Sequence, residues 1–249
     1  IRRVERIAVL IAASDDTPPE VLALRVDFPS VPHSLLVAED EPRRLCIYDA
    51  DHSELRLSWT GARFLGYIRD WLRDSARGTL HAEDQALEPL LEGARITLVV
   101  PADLFSHGPD RPEVLWASAR SAVASHEVYV AERPQDMASV PDSGGPFTVV
   151  GFTTPPQQHG IIHRAPRTLR ALQKLLDPIG MDIEALLGAG LTKWYTKTLI
   201  GDSSLGDTRL IIVLALAKTR HIGEPVESHE LRAFLTRETV KQVGVHLGI

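Results

Sequence analysis

Arg44-Leu-Cys-Ile-Tyr48, followed by Trp59-Thr-Gly-Ala-Arg-Phe-Leu-Gly-Tyr-Ile-Arg-Asp-Trp-Leu72, decides how the N-terminal part of the chain folds. The first run is apolar and of strand length. The second puts Phe64, Leu65, Ile68, Trp71 and Leu72 at i, i+1, i+4, i+7 and i+8, one apolar stripe of an α-helix. Arg63, Arg69, Asp70, Arg73 and Asp74 fill its other face. Thr60 is a suitable N-cap and Gly78 a suitable C′ residue, so the helix reads as 60–77. Upstream, Arg6-Ile-Ala-Val-Leu-Ile-Ala12 and Val21-Leu-Ala-Leu-Arg-Val-Asp-Phe28 read as strands. Asp15-Asp-Thr-Pro-Pro19 breaks the chain between them. In the second strand, Leu22, Leu24, Val26 and Phe28 fall on one face. Ser34-Leu-Leu-Val37 is a third short candidate. Elements so close in sequence pair most simply as an antiparallel meander.

The expected fold class is α+β for residues 1–92, a meander with a packed helix, followed by a second, α/β domain over 93–249. In that half, 95–100, 127–131, 147–152 and 208–217 read as strands. Residues 112–126 have helical character, with Val114, Leu115, Ala119 and Val123 as a weak stripe. Helices are also expected over 168–176, over 182–187, and from a cap at Ser228-His-Glu230 through Lys241. Residues 134–146 read as a loop.

A chain of 249 residues, 44% hydrophobic and 24% charged, can bury a core without covalent staples. A net charge of −6 argues against a nucleic-acid binder. A single cysteine excludes an intrachain disulfide and suits a reducing, cytoplasmic setting. No apolar run is long enough for a membrane span. Beginning at Ile1 rather than Met, the chain reads as processed, or as a fragment of something longer.

Cys46 is the one thiol, and the thiolate is the nucleophilic form. A thiol carries an acyl group as a thioester and hands it to an amine when two conditions are met. An oxyanion donor must be near, and a group must orient or deprotonate the amine. His33, Ser34, His81 and Asp84 are the candidates nearby in sequence. His81 and Asp84 share a face if their connector forms one helical turn. The competing reading makes Cys46 a small core residue, as free cysteines commonly are, and leaves His81 and Asp84 on a surface turn.

The order Pro32-His33, Leu45-Cys46-Ile47 and Trp59-Thr60-Gly61-Ala62 resembles the ubiquitin-conjugating enzymes. With Trp71-Leu72 and Gly78-Thr-Leu-His81-Ala-Glu-Asp84-Gln85, it resembles their bacterial branch over residues 4–91. That branch is found with, or fused to, ThiF-type activating enzymes and JAB-type peptidases. The resemblance implies that Cys46 accepts a ubiquitin-like modifier from an activating enzyme and passes it to an amine, in a bacterial conjugation system of the antiviral type. It implies supporting catalytic roles for His33, His81 and Asp84. Residues 93–249 would then lie between the conjugating core and an activating domain. Pro32-His33-Ser34 stands where the family carries His-Pro-Asn, so no asparagine is offered to the oxyanion. The spacing from His33 to Cys46 is longer than in the eukaryotic enzymes, and their N-terminal helix has no counterpart in this sequence. The alternative is a non-catalytic docking module of the same fold, holding an activating enzyme or modifier. A third reading makes the C-terminal domain a small-ligand sensor.

Other signals carry less. His81-Ala-Glu83 opens a zinc-deaminase motif, but no later cysteine completes it. His159 and His163 lack a third ligand. Gly188-Ala-Gly190 and the glycines of 201–206 lack the rest of a phosphate-loop pattern. No cofactor, metal, nucleic acid or membrane partner is called for. An ATP-using activating enzyme must therefore supply the acyl group.

Overall fold

The structure is a computed structural model. It describes the chain except residues 15, 36, 39, 49–50, 82, 84, 86, 88–95, 107, 110, 124–125, 134–146, 161–164 and 199–205, and the side chains of 121–126 and 194–198. The chain divides into two compact units. The first contains Ile1–Leu90 and Gln158–Ala171, and the second Leu91–Gln157 and Leu172–Ile249. The sequence alone gives no sign that Gln158–Ala171 returns to the first unit.

In the first unit, β1 (Ile7–Leu10), β2 (Glu20–Ala23) and β3 (Arg43–Leu45) form an antiparallel sheet in that order. An antiparallel meander is as expected, but the candidate at Ser34–Val37 gives, among its described residues, only an isolated bridge at Ser34 rather than a strand, and β2 is shorter with its other face inward. Val21 and Ala23 are fully buried, whereas Leu24 and Val26 are exposed. Leu24 makes one last bond, its N–H donating to the Arg6 carbonyl, and the chain then turns at Val26–Asp27. Arg25 forks onto Glu5 through Nε and Nη2 at 3.0 and 2.9 Å and also donates to the Asp27 carbonyl, so the ladder cannot continue. Phe28 then re-enters the core from beyond that turn.

The short segment after Tyr48 is helical: α1 (His52–Arg56) is capped by Asp51, whose side chain accepts from the Ser53 N–H. Next comes α2 (Gly61–Arg77). Thr60 Oγ1 accepts from the Arg63 N–H at 3.1 Å, and Gly78 closes the helix in the left-handed region at φ 72°. Phe64, Ile68 and Trp71 face Val21, Ala23, Leu45 and Ile47 in one core. The stripe is narrower than expected. Leu72 is half-buried, and Leu65 is 63% exposed because it lies outside the i, i+4, i+7 row that meets the sheet.

The second unit is built on a mixed sheet. Its strands are β4 (Ile96–Val99), β5 (Glu113–Val123), β6 (His126–Glu132), β7 (Phe147–Thr153), the two-residue β8 (Gln157–Gln158), β9 (Arg209–Thr219) and β10 (Ser228–Thr239). The main path runs β10-β9-β7-β5-β6-β4, with β7 parallel to β9 and β4 parallel to β6. The other pairings on it are antiparallel.

Two helical expectations fail here. Residues 112–126 contain β5, a strand with partners on both sides. Leu115, Trp116 and Ala117 are all buried, so the alternation that marks a half-buried strand is missing. The segment starting at Ser228 is β10. Its burial does alternate, but the inward residues Glu230 and Arg232 are charged and hide the pattern. Arg232 donates to Glu230 at 2.7 Å, and Lys218 Nζ lies 3.4 Å from the same carboxylate.

Helix α3 (Leu169–Leu176) starts at the end of the return segment and continues into this unit, which also holds α4 (Ile183–Thr198) and α5 (Val240–Leu247). A 3-10 turn at Asp177–Ile179 follows α3, where Pro178 was expected to interrupt. The helix expected over 182–187 continues past Gly188 and Gly190, with Ile183, Leu187 and Leu191 buried at i, i+4 and i+8. A side chain at Gly190 would stand 3.3 Å from Pro112.

Ile68→Ala should destabilise the first unit by about 2–5 kcal/mol. Leu65→Ala should stay within about 0.5 kcal/mol. Denaturant melts of the two variants test which face of α2 is inward. The Arg25 fork holds the Glu5 carboxyl below the usual carboxylate range. A folded pKa below the unfolded one gives stability that is present above the unfolded value and lost as pH falls through the folded one. Glu5→Gln should therefore lose stability near neutral pH. The gap to the parent should close on acidification below about pH 4, as acid-titration melts would show.

Candidate functional site

Cys46 directly follows β3. Leu45 and Ile47 point into the core at 4% and 8% exposure, so the period of two turns Arg44 and Cys46 to the other side, while Tyr48, beyond the strand end, packs back against the core. There the cysteine is half-buried rather than sealed among aliphatic groups. Its S–H donates to the Tyr48 carbonyl at 3.8 Å.

A second segment lies along this strand end. The Cys46 N–H donates to the His33 carbonyl and the Leu35 N–H to the Arg44 carbonyl, both at 2.8 Å. Ser34 and Leu45 pair as an antiparallel bridge. His33 sits at φ 55°, in the left-handed region where histidine is one of the few side chains found with any frequency. The main chain thus fixes His33 beside Cys46. Ser34 is 1% exposed and its hydroxyl donates to the Val31 carbonyl at 3.0 Å, so its proton is already committed.

The His81 ring lies 5.6 Å from that of His33, centroid to centroid. Among the described residues, His81 Nε2 is buried without a hydrogen-bond partner. The His159 ring is 4.5 Å from His81, tilted by 56°. His33, His81 and His159 therefore form a row of imidazoles that begins at the residue bonded to Cys46. His33 and His81 were singled out from the sequence and are brought together. Asp84 and His163 lie outside the described residues. His159 was not assigned to this site. Among the described residues, no group of three or more His, Cys, Asp or Glu is placed to hold a metal ion.

On the other flank, Tyr48, Trp59, Tyr67 and Phe64 form a chain of ring contacts between 5.3 and 6.2 Å. The Tyr48 hydroxyl donates to the Pro19 carbonyl at 3.0 Å. Burial, with a smaller effect from Tyr67, pushes this phenol up to about 12. It stays a neutral donor wherever the thiol could be working. Trp59 is a packing residue against Phe64, at the entry to α2.

Among the described residues, no helix is long and apolar enough to cross a membrane. A search of curated proteins finds no match. Against protein-family models, residues 1–108 match prokaryotic E2 family A, so the segment that carries Cys46, His33 and His81 is similar to that family.

Proposed function

We propose that Cys46 carries a ubiquitin-like modifier as a thioester, received from a ThiF-type activating enzyme, and passes it to an amine. The observation that carries this is a half-buried thiol whose own N–H is bonded to the His33 carbonyl, with the His81 ring next in line. In the first step the Cys46 thiolate attacks the carbonyl carbon of the enzyme-bound thioester. A new C–S bond forms, and the activating enzyme's sulfur leaves as a thiolate. In the second step an amine nitrogen attacks the Cys46 thioester. The C–N bond forms, the C–S bond breaks, and the sulfur recovers its electron pair.

His33 and His81 are the residues we assign to orienting the amine and accepting its proton; Asp84 keeps the same candidacy from the sequence. The site offers no side-chain amide from an asparagine at residue 34. The similarity to bacterial E2 proteins supports a setting in which the activating enzyme is separate or fused C-terminally, and a JAB-type peptidase acts on the same modifier. We place the reaction in the bacterial cytoplasm, in a system of the antiviral type. The second unit serves in this reading as the segment that leads to an activating domain.

Incubation with a cognate activating enzyme, modifier and ATP should give an adduct that thiol reductant removes and that Cys46→Ala does not form. With partners shown to be active, absence of the adduct overturns the assignment. A small alkylating reagent should label Cys46 in the folded chain. Protection until denaturation would instead favour a docking module of the same fold.

A further inference from the structure

The family match ends at residue 108, yet the first unit is completed by Gln158–Ala171. This return segment lies along residues 32–40, the stretch whose His33 carbonyl accepts from the Cys46 N–H. The Ala165 N–H donates to the Val37 carbonyl at 2.8 Å, and Ala165 bridges Ala38 in parallel. Arg167 reaches Asp40 at 3.1 Å. Gly160 is at φ 78°, and a Cβ there would lie 2.7 Å from Cγ of Pro32, the residue before His33. Position 160 thus requires glycine twice over, for its backbone conformation and for its closeness to a stiff ring. What this arrangement delivers, one residue earlier, is the His159 ring against His81 at 4.5 Å.

We infer that His159 is a positioning residue for amine transfer from Cys46, acting through His81; this rests on the thioester reading above. An amine that attacks a thioester must lose a proton as the C–N bond forms. That proton goes to the His81 imidazole as the C–S bond breaks and the electron pair returns to Cys46 Sγ. A general base contributes only when it is held in place and in the right protonation state. His81 has no hydrogen-bond partner at Nε2 among the described residues, so its placement depends on its neighbours. His33 supports it on one side and His159 on the other. The segment that supplies His159 comes from beyond the matched family region. The transfer site is therefore completed by a later part of the same chain.

The test uses the full chain, charged on Cys46 and then separated from activating enzyme and ATP. Discharge is followed with two nucleophiles. Free lysine is protonated at neutral pH, so it must lose one proton before attack and a second as the C–N bond forms. Hydroxylamine is uncharged, loses only the second, and loses it from a far more acidic N–H, so its attack leans much less on a base. His159→Ala should slow discharge to lysine about tenfold, a part of the ~100-fold that a general base commonly supplies. Discharge to hydroxylamine should hardly change. Gly160→Ala, which forces the backbone beside His159 away from Pro32, should give the same selective loss. Arg167→Ala, in the same segment but away from the rings, should not. Equal slowing with both nucleophiles would reduce His159 to a structural part and overturn the inference, as would unchanged lysine discharge in both His159→Ala and Gly160→Ala. A parent chain that never becomes charged would instead sink the thioester reading itself.

Discussion

The main-chain bond from the Cys46 N–H to the His33 carbonyl is the constraint on which the site depends. It does three things. It extends the ladder of the small sheet past Leu45, so the thiol sits on paired backbone rather than on a free loop. It fixes which way Cys46 faces, because Leu45 and Ile47 must remain in the core on either side of it. It also places a histidine next to the cysteine through the main chain. The left-handed backbone of His33 is the local cost, offset by the bridge between Ser34 and Leu45 and by the buried Ser34 hydroxyl.

Legibility varied with how local the signal was. The α2 helix was readable nearly to the residue, because Thr60, Gly78 and the Phe64, Ile68, Trp71 row are all contained within it. The parity of β2 was not, because an ion pair 20 residues apart in sequence, Glu5 with Arg25, ends the strand early. Central strands lose the alternation that identifies them, which is why β5 reads as a helix. At β10 the buried Glu230, Arg232 and Lys218 stabilise one another, so polarity gave the wrong direction.

The site divides in the same way. Cys46 and His33 lie on neighbouring segments and were found by spacing. His81 follows α2 and was found by its motif. His159 could not be found by proximity along the chain, since what joins it to His81 is a fold in which the whole run from β4 to β7 intervenes. Gly160 was the available sign: a glycine flanking a histidine, in a stretch with few other reasons to need one. Its positive φ and the closeness of Pro32 together show why it is there.

The discontinuity of the first unit has a consequence for biosynthesis. When β1 to α2 leave the ribosome they can collapse around Trp71, but the stretch carrying His159 has not yet been translated. The intervening strands emerge next, and β7 lacks its parallel neighbour until β9 is made. Non-local closures of this kind slow folding and lengthen the period in which strand edges stay unpaired. A nascent chain therefore displays its thiol before its full set of imidazoles. The row of imidazoles near Cys46 can close only after the stretch 158–171 has been made.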